Sequence, residues 1–221
     1  MRNYDQLRLE IFRYKTMYHI TDIRNVVYII KEKRLLCNNI INKYNYPVHR
    51  IDNPEINNRR KNKFTPNTKV SLECYVPFLI NPRGPFLRRV TDDGRDQKVV
   101  MLGYKYESPE HPFYYTDGNA STKTSRFYKG LKSIKKNIDL NIINKNWEDI
   151  QLKSEPEDEK DELKRKHQSE FLIHKMVPIE DIHHIVVCKQ EQMQYLLERQ
   201  VKIPIYVVPK MFFENSGTLN F

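Results

Sequence analysis

Glu170 opens the run Glu170-Phe171-Leu172-Ile173, an acid at the head of a segment apolar enough to demand burial. A carboxylate buried without a partner is costly. A fold that buries this run must therefore give Glu170 a cation or open a cleft beside it. Just upstream, residues 154–168 (SEPEDEKDELKRKHQ) run from acidic to basic. That order suits a helix, whose first turn attracts carboxylates and whose last turn attracts cations. The chain thus passes from a charged helix into a buried strand, with an acid at the junction. From these residues alone two readings stay open: a plain ion pair with a nearby Lys or Arg, or an acid on a cleft, poised to stabilise positive charge.

The remaining chain alternates strand-like and helix-like segments. MYHIT reads as a short strand, with Thr21 or Asp22 capping a helix through DIRNVVYIIKEKRLL. Ile23, Val26, Val27, Ile30 and Leu35 approximate one face of that helix. Residues 42–69 form a long polar loop with one short helix around IDNPEINNRRK. VSLECYVPFLI is strand-like and is broken by NPRGP; residues 91–97 form an exposed turn. VVMLGYKY and the start of FYYTDGNA are strands, and a helix is expected at TSRFYKGLKSI. EFLIHKMVP, HHIVVC and IPIYVVP are strands, the last two separated by the helix EQMQYLLERQ. The pattern predicts one α+β domain spanning residues 1–221.

Only 39% of residues are hydrophobic, yet 14 Tyr and 10 Phe can fill a core because each aromatic buries a large area. The net charge of +10 attracts polyanions, although a Lys-rich composition alone gives the same figure. Cys37, Cys74 and Cys188 lie far apart, with neither a disulfide framework nor metal spacing, so no metal is expected and a reducing cytoplasm is the simplest home. The first residues lack a signal-peptide core, and no apolar run approaches the ~20 residues that span a bilayer. A soluble cytoplasmic protein without a membrane partner is expected. P-loop, GxGxxG, HExxH and nucleophile-elbow motifs are absent.

Three features remain. His19 and Thr21, in YHIT, present polar groups just before a helix; they can hold a ligand, or serve as a core histidine and a helix cap. Arg59 and Arg60, in INNRRKNK, offer forked donors suited to phosphate, or a solvated basic patch. Glu170 is the third.

Taken in order, YHIT-helix, I-x-x-RR, YVPF-x-x-NPRGP, the YTDGNA turn and RKHQSEFLIHK, this sequence resembles the DarT family of DNA ADP-ribosyltransferase toxins from DarT–DarG toxin–antitoxin systems. The matches run from about Met17 to the strand after His184. The resemblance implies a compact ADP-ribosyltransferase-like fold, with central β-strands and flanking helices. It implies transfer of ADP-ribose from NAD to a base of single-stranded DNA, and a DarG-type macrodomain antitoxin as partner. It assigns catalysis to Glu170 and Arg60, and NAD binding to His19, Thr21, Asn25 and Phe86. It places Asn119, Arg83, Arg59 and Lys61 near DNA; for Phe86 and Arg83, core packing and loop stapling are equally open. The basic loop 42–69, with Tyr44, Tyr46, Arg50, Arg59, Lys61 and Lys63, is expected to line the DNA groove. Two positions depart from the family pattern: Leu79 stands where many relatives have an aromatic, and Asn119 where they often have His. The other readings are a same-fold transferase acting on RNA or protein, and a non-catalytic basic nucleic-acid-binding module.

Overall fold

The computed structural model describes residues 16–66, 68–95, 98–105, 113–129, 134–151 and 156–213. Ten strands are assigned among these: β1 (Thr16–Asp22), β2 (Arg34–Leu36), β3 (Tyr75–Leu79), β4 (Val99–Lys105), β5 (Phe113–Thr116), β6 (Phe127–Tyr128), β7 (Glu170–His174), β8 (Met176–Pro178), β9 (Ile182–Val187) and β10 (Ile205–Val207). Eight form one sheet in the order β10-β9-β4-β1-β3-β7-β5-β6, antiparallel except for the β9–β10 pair. β2 and β8 form a separate two-stranded ribbon.

The centre of the sheet is covered on both sides, so its strands read as continuous apolar runs. In β4, six consecutive residues from Val99 to Tyr104 are buried. Met17, Phe78, Val100, Leu102 and Phe171 belong to one core cluster. Tyr18, Ile20, Val99, Met101 and Val186 belong to another, as the period-2 alternation of strands requires. Gly103 sits opposite His184 where β4 meets β9. A Cβ there would lie 2.4 Å from the His184 ring. Gly103→Ala is therefore expected to lower stability by about 1–3 kcal/mol, the usual range for overpacking, read as a lower denaturation midpoint in urea.

Several expected elements differ. Of the two expected caps Asp22 serves the first helix, its carboxylate accepting from the Arg24 N–H at 2.9 Å. That helix spans only Ile23–Lys31; Lys33 has φ 54°, and Leu35 belongs to β2. Val27 is exposed, and the buried stripe is Ile23, Val26 and Ile29. NPRGP ends β3 as expected, but Pro85 also begins a helix, Pro85–Asp92, so part of the expected turn 91–97 is helical. Pro is favoured at a first helical position because its missing N–H would have no partner there anyway. The helix expected at TSRFYKGLKSI is replaced over Phe127–Tyr128 by β6, which pairs with Thr116 and Tyr115 of β5; residues 130–133 of it lie outside the described residues. The short helix in the long loop is Pro54–Lys61, and the charged helix before Glu170 is Glu157–His167.

Candidate active site

β1 and β3 meet at one register pair, Tyr18 with Leu79, and then diverge. Pro77 has no N–H for the ladder, and its carbonyl instead accepts from the His19 ring at 2.9 Å. At this split in the sheet lies a cleft of about 360 Å³. Glu170, the first residue of β7, stands directly across from Leu79 on its margin.

The Glu170 side chain is held on both oxygens. Oε2 accepts from Arg60 Nη1 at 2.8 Å, and Oε1 accepts from the Ala120 N–H at 2.8 Å. Its own N–H donates to the Thr116 hydroxyl, which donates to the Gly118 carbonyl at 2.6 Å. Glu170 is 4% exposed. The turn 117–120 is clamped against the end of the Glu157–His167 helix. A Cβ on Gly118 would lie 2.9 Å from the Arg165 carbonyl, so only glycine permits this approach. Arg165 bonds Asp117 and Glu162, and these carboxylates, Glu162 above all, hold its guanidinium firmly charged. A helix end, a turn and a strand thus fix one carboxylate.

Arg60 lies in the last turn of its helix and is also buried. Its Nη1 bonds Glu170, while Nη2 is buried with no hydrogen-bond partner among the described residues. One donor is therefore fixed on the acid and a second is spare beside the cleft.

Burial pushes the His19 pKa below its ordinary value of 6.5; the bond to Pro77 opposes this and the Arg60 charge adds to it. With Nδ1–H donating to Pro77, the neutral ring has Nε2 available as an acceptor. Burial likewise lowers His184, with His183 adding. Below about pH 6.5 the unfolded chain binds protons at these rings that the folded chain refuses, so stability falls with acid and is regained on raising the pH. His19→Gln is expected to flatten that fall, measured as the denaturant midpoint between neutrality and mild acid.

The Asn25 amide donates to Thr21 Oγ1 at 3.1 Å and to the His49 carbonyl at 2.9 Å, and accepts from the His49 N–H at 2.8 Å. It ties the long loop to the first helix. His19, Thr21, Asn25, Arg60, Phe86, Asn119 and Glu170 all line the one cleft. Asn119 sits at its edge, donating to Gln168 Oε1 at 3.1 Å and accepting from the Ser121 hydroxyl.

Three expected site residues are not brought to the cleft lining. Arg59 and Lys61 are exposed on the helix that carries Arg60. Arg83 forms a bidentate pair with Glu148, both contacts 2.6 Å, and packs over the Phe213 ring. It staples the loop after β3, the non-DNA reading of that residue. Tyr46 and Arg50 wall the cleft, whereas Tyr44 is exposed outside its lining. Thr116 and the Ala120 N–H were not singled out as part of the site; the Thr-Asp-Gly of the turn was the available signal for both. The Lys63 Nζ donates to the Thr122 carbonyl. Burial pushes its pKa down, with Glu170 opposing and Arg60 adding.

Among the described residues, no group of His, Cys, Asp and Glu is arranged to hold a metal ion, and no helix is long and apolar enough to cross a membrane.

A buried Arg–Glu pair on the margin of a cleft marks a candidate active site, and comparison with known proteins specifies its class. The family described as ssDNA thymidine ADP-ribosyltransferase, DarT, matches residues 18–213, and this chain belongs to that family. A DNA ADP-ribosyl transferase from Thermus sp. (strain 2.9) is 28% identical over 200 residues, covering 85% of this chain and 88% of that protein. The structure of Thermus sp. 2.9 DarT in complex with ADP-ribosylated ssDNA superposes with a TM-score of 0.78 at 23% identity, covering 91% of this chain and 97% of that one. Thermosipho africanus DarTG in complex with ADP-ribose gives 0.74 at 23% identity, covering 90% of this chain and 51% of that one. The expected fold and family are thereby established.

Proposed function

We propose that the chain, a single catalytic domain, transfers ADP-ribose from NAD to a thymidine base of single-stranded DNA. The observation that carries this reading is the buried Arg60–Glu170 pair, with its spare guanidinium nitrogen, at the margin of the cleft. Thermus sp. 2.9 DarT has been solved in complex with NAD+, with a TM-score of 0.71 at 21% identity. In a cleft of mixed lining, Leu79 and Phe86 supply apolar surface, while His19 and Asn25 supply convergent polar groups. Arg50 and Arg89 also line it and offer the positive charge that a diphosphate requires.

In the reaction, the bond between nicotinamide and the ribose breaks and nicotinamide leaves with its electron pair. Positive charge develops on the ribose. Glu170 stabilises that charge and orients the sugar hydroxyls, already aimed by Ala120 and Arg60. A base nitrogen then bonds the anomeric carbon and releases its proton to solvent water. Arg60 stands between NAD and the base and positions them electrostatically through its forked donors. His19, through Nε2, and Thr21 hold the ribose and amide ends of NAD. Asn119 meets the target nucleotide at the cleft edge as a hydrogen-bonding group, where a histidine would also exchange protons.

The chain acts in the cytoplasm as the toxin of a toxin–antitoxin pair with a DarG-type macrodomain antitoxin, in phage defence, and its unopposed expression arrests growth. The test is the mass of short oligonucleotides after incubation with purified protein and NAD. A gain of one ADP-ribose on thymidine-containing DNA supports the reading. Nicotinamide release with no change in any DNA overturns the choice of acceptor in favour of RNA or protein, and no reaction at all overturns the enzyme.

A further inference from the structure

Two chain segments that border the site are one-sided in charge. From Asn58 to Ser71 the chain carries Arg59, Arg60, Lys61, Lys63 and Lys69 with no Asp or Glu. From Gly118 to Lys129 it carries Lys123, Arg126 and Lys129, again with none. The fold joins these two segments. Lys63 donates to the Thr122 carbonyl and lies 5.2 Å over the Phe127 ring. The Tyr114 hydroxyl donates to the Pro66 carbonyl at 3.2 Å, and Lys129 lies 5.0 Å over the Tyr114 ring.

Phe64 stands on this joined face, 54% exposed. Its backbone is well fixed: Phe64 bridges Ser71, the Leu72 N–H donates to the Lys63 carbonyl at 2.8 Å, and the Thr65 N–H donates to the Val70 carbonyl at 2.9 Å. A large ring is thus held in water on a braced turn, four residues after Arg60, between two segments whose own charges are all positive. Cationic surface interleaved with exposed aromatic rings is the chemistry that grips single-stranded nucleic acid, by phosphate pairing and base stacking.

We infer that the DNA strand flanking the target base crosses this face, with one base stacked on Phe64 and its phosphates on Lys123, Arg126 and Lys129. The inference rests on the DNA reading above and adds the residues that set how much of the strand is held. The nucleotides on Phe64 are read by stacking, so this contact fixes register along the strand without demanding a particular base.

The test compares kcat/KM for ADP-ribosylation of a long oligonucleotide with that of one trimmed to the nucleotides around the target. Wild type is expected to favour the long strand. Phe64→Ala is expected to lose about 10- to 100-fold of that advantage, and Phe64→Tyr, which keeps a ring, to retain it. The combined Lys123→Ala, Arg126→Ala and Lys129→Ala variant is expected to flatten the log–log salt dependence on the long strand by about 2, from about 0.7 per cation on single strands. An equal rate on both oligonucleotides in wild type overturns the inference. So does an unchanged long-strand advantage and salt slope in variants whose melting matches wild type, even if they bind the macrodomain antitoxin less well, which would assign the face to a protein. Failure of wild type to modify any DNA overturns instead the function on which the inference rests.

Discussion

Glu170→Gln is expected to slow ADP-ribosyl transfer by about 100- to 1,000-fold, the usual loss when one preorganised electrostatic contact to a transition state is removed. The substitution is chosen to separate chemistry from folding. A glutamine carbonyl can still accept from the Ala120 N–H, and the backbone bond to Thr116 is untouched. What it removes is the negative charge that answers the developing positive charge on the ribose. Single-turnover rates with NAD and a thymidine-containing oligonucleotide give the comparison, with thermal melting as a check on the fold. A Glu170→Gln enzyme retaining more than about a tenth of the wild-type rate, far less than that loss, would show that the carboxylate is not the group that stabilises the sugar.

Arg60→Met is expected to be costly on two counts. Transfer falls by a comparable ~100-fold or more, because the spare Nη2 donor and the positioning charge are lost together. Stability also falls, by about 3 kcal/mol, since removing one member of a buried pair leaves the other without its partner. Arg60 and Glu170 have side chains only 11% and 5% exposed, so little solvent relieves the stranded carboxylate. Restoring balance with Arg60→Met and Glu170→Gln together is expected to recover much of the stability and none of the activity. Denaturant titration of the four proteins measures this; a double variant whose loss equals the sum of the two single losses would mean that the pair is not coupled.

Much of the site was legible because its key residues lie in local patterns. Glu170 is marked by the change from a charged helix to an apolar strand, and Arg60 by the doubled arginine in a basic loop. The resemblance named both as catalytic, but their meeting across 110 positions is not a local property and appears only in the fold. The strands were readable because apolar runs such as β4 must be buried. The failures fall where tertiary contacts decide. Phe127 and Tyr128 sit in a sequence with helical character, yet pairing with β5 at the sheet edge makes them a strand. Leu35 fits the helical stripe, but the chain turns at Lys33 and pairs with β8 instead. Arg50 reads as one more cation in a basic loop. The Asn25 tie, which holds that loop to the first helix, helps to turn it toward the cleft. Arg83 appears free in sequence because its partner Glu148 is 65 positions away.

The alternation of β7 has a consequence for how such an enzyme is lost. Phe171 and Ile173 enter one core cluster while Leu172 enters another, so the carboxylate keeps its side of the sheet for as long as the strand keeps its register. A slip by one residue would send Glu170 into the opposite core and bring Phe171 to the cleft, and the buried residues on both faces resist it. Aim is therefore guarded by the same contacts that guard the fold. In a collection of spontaneous inactive variants, folded proteins with a misdirected Glu170 should be scarce. The survivors of such a selection should divide instead into chains that no longer fold and folded chains altered at the site's own side chains.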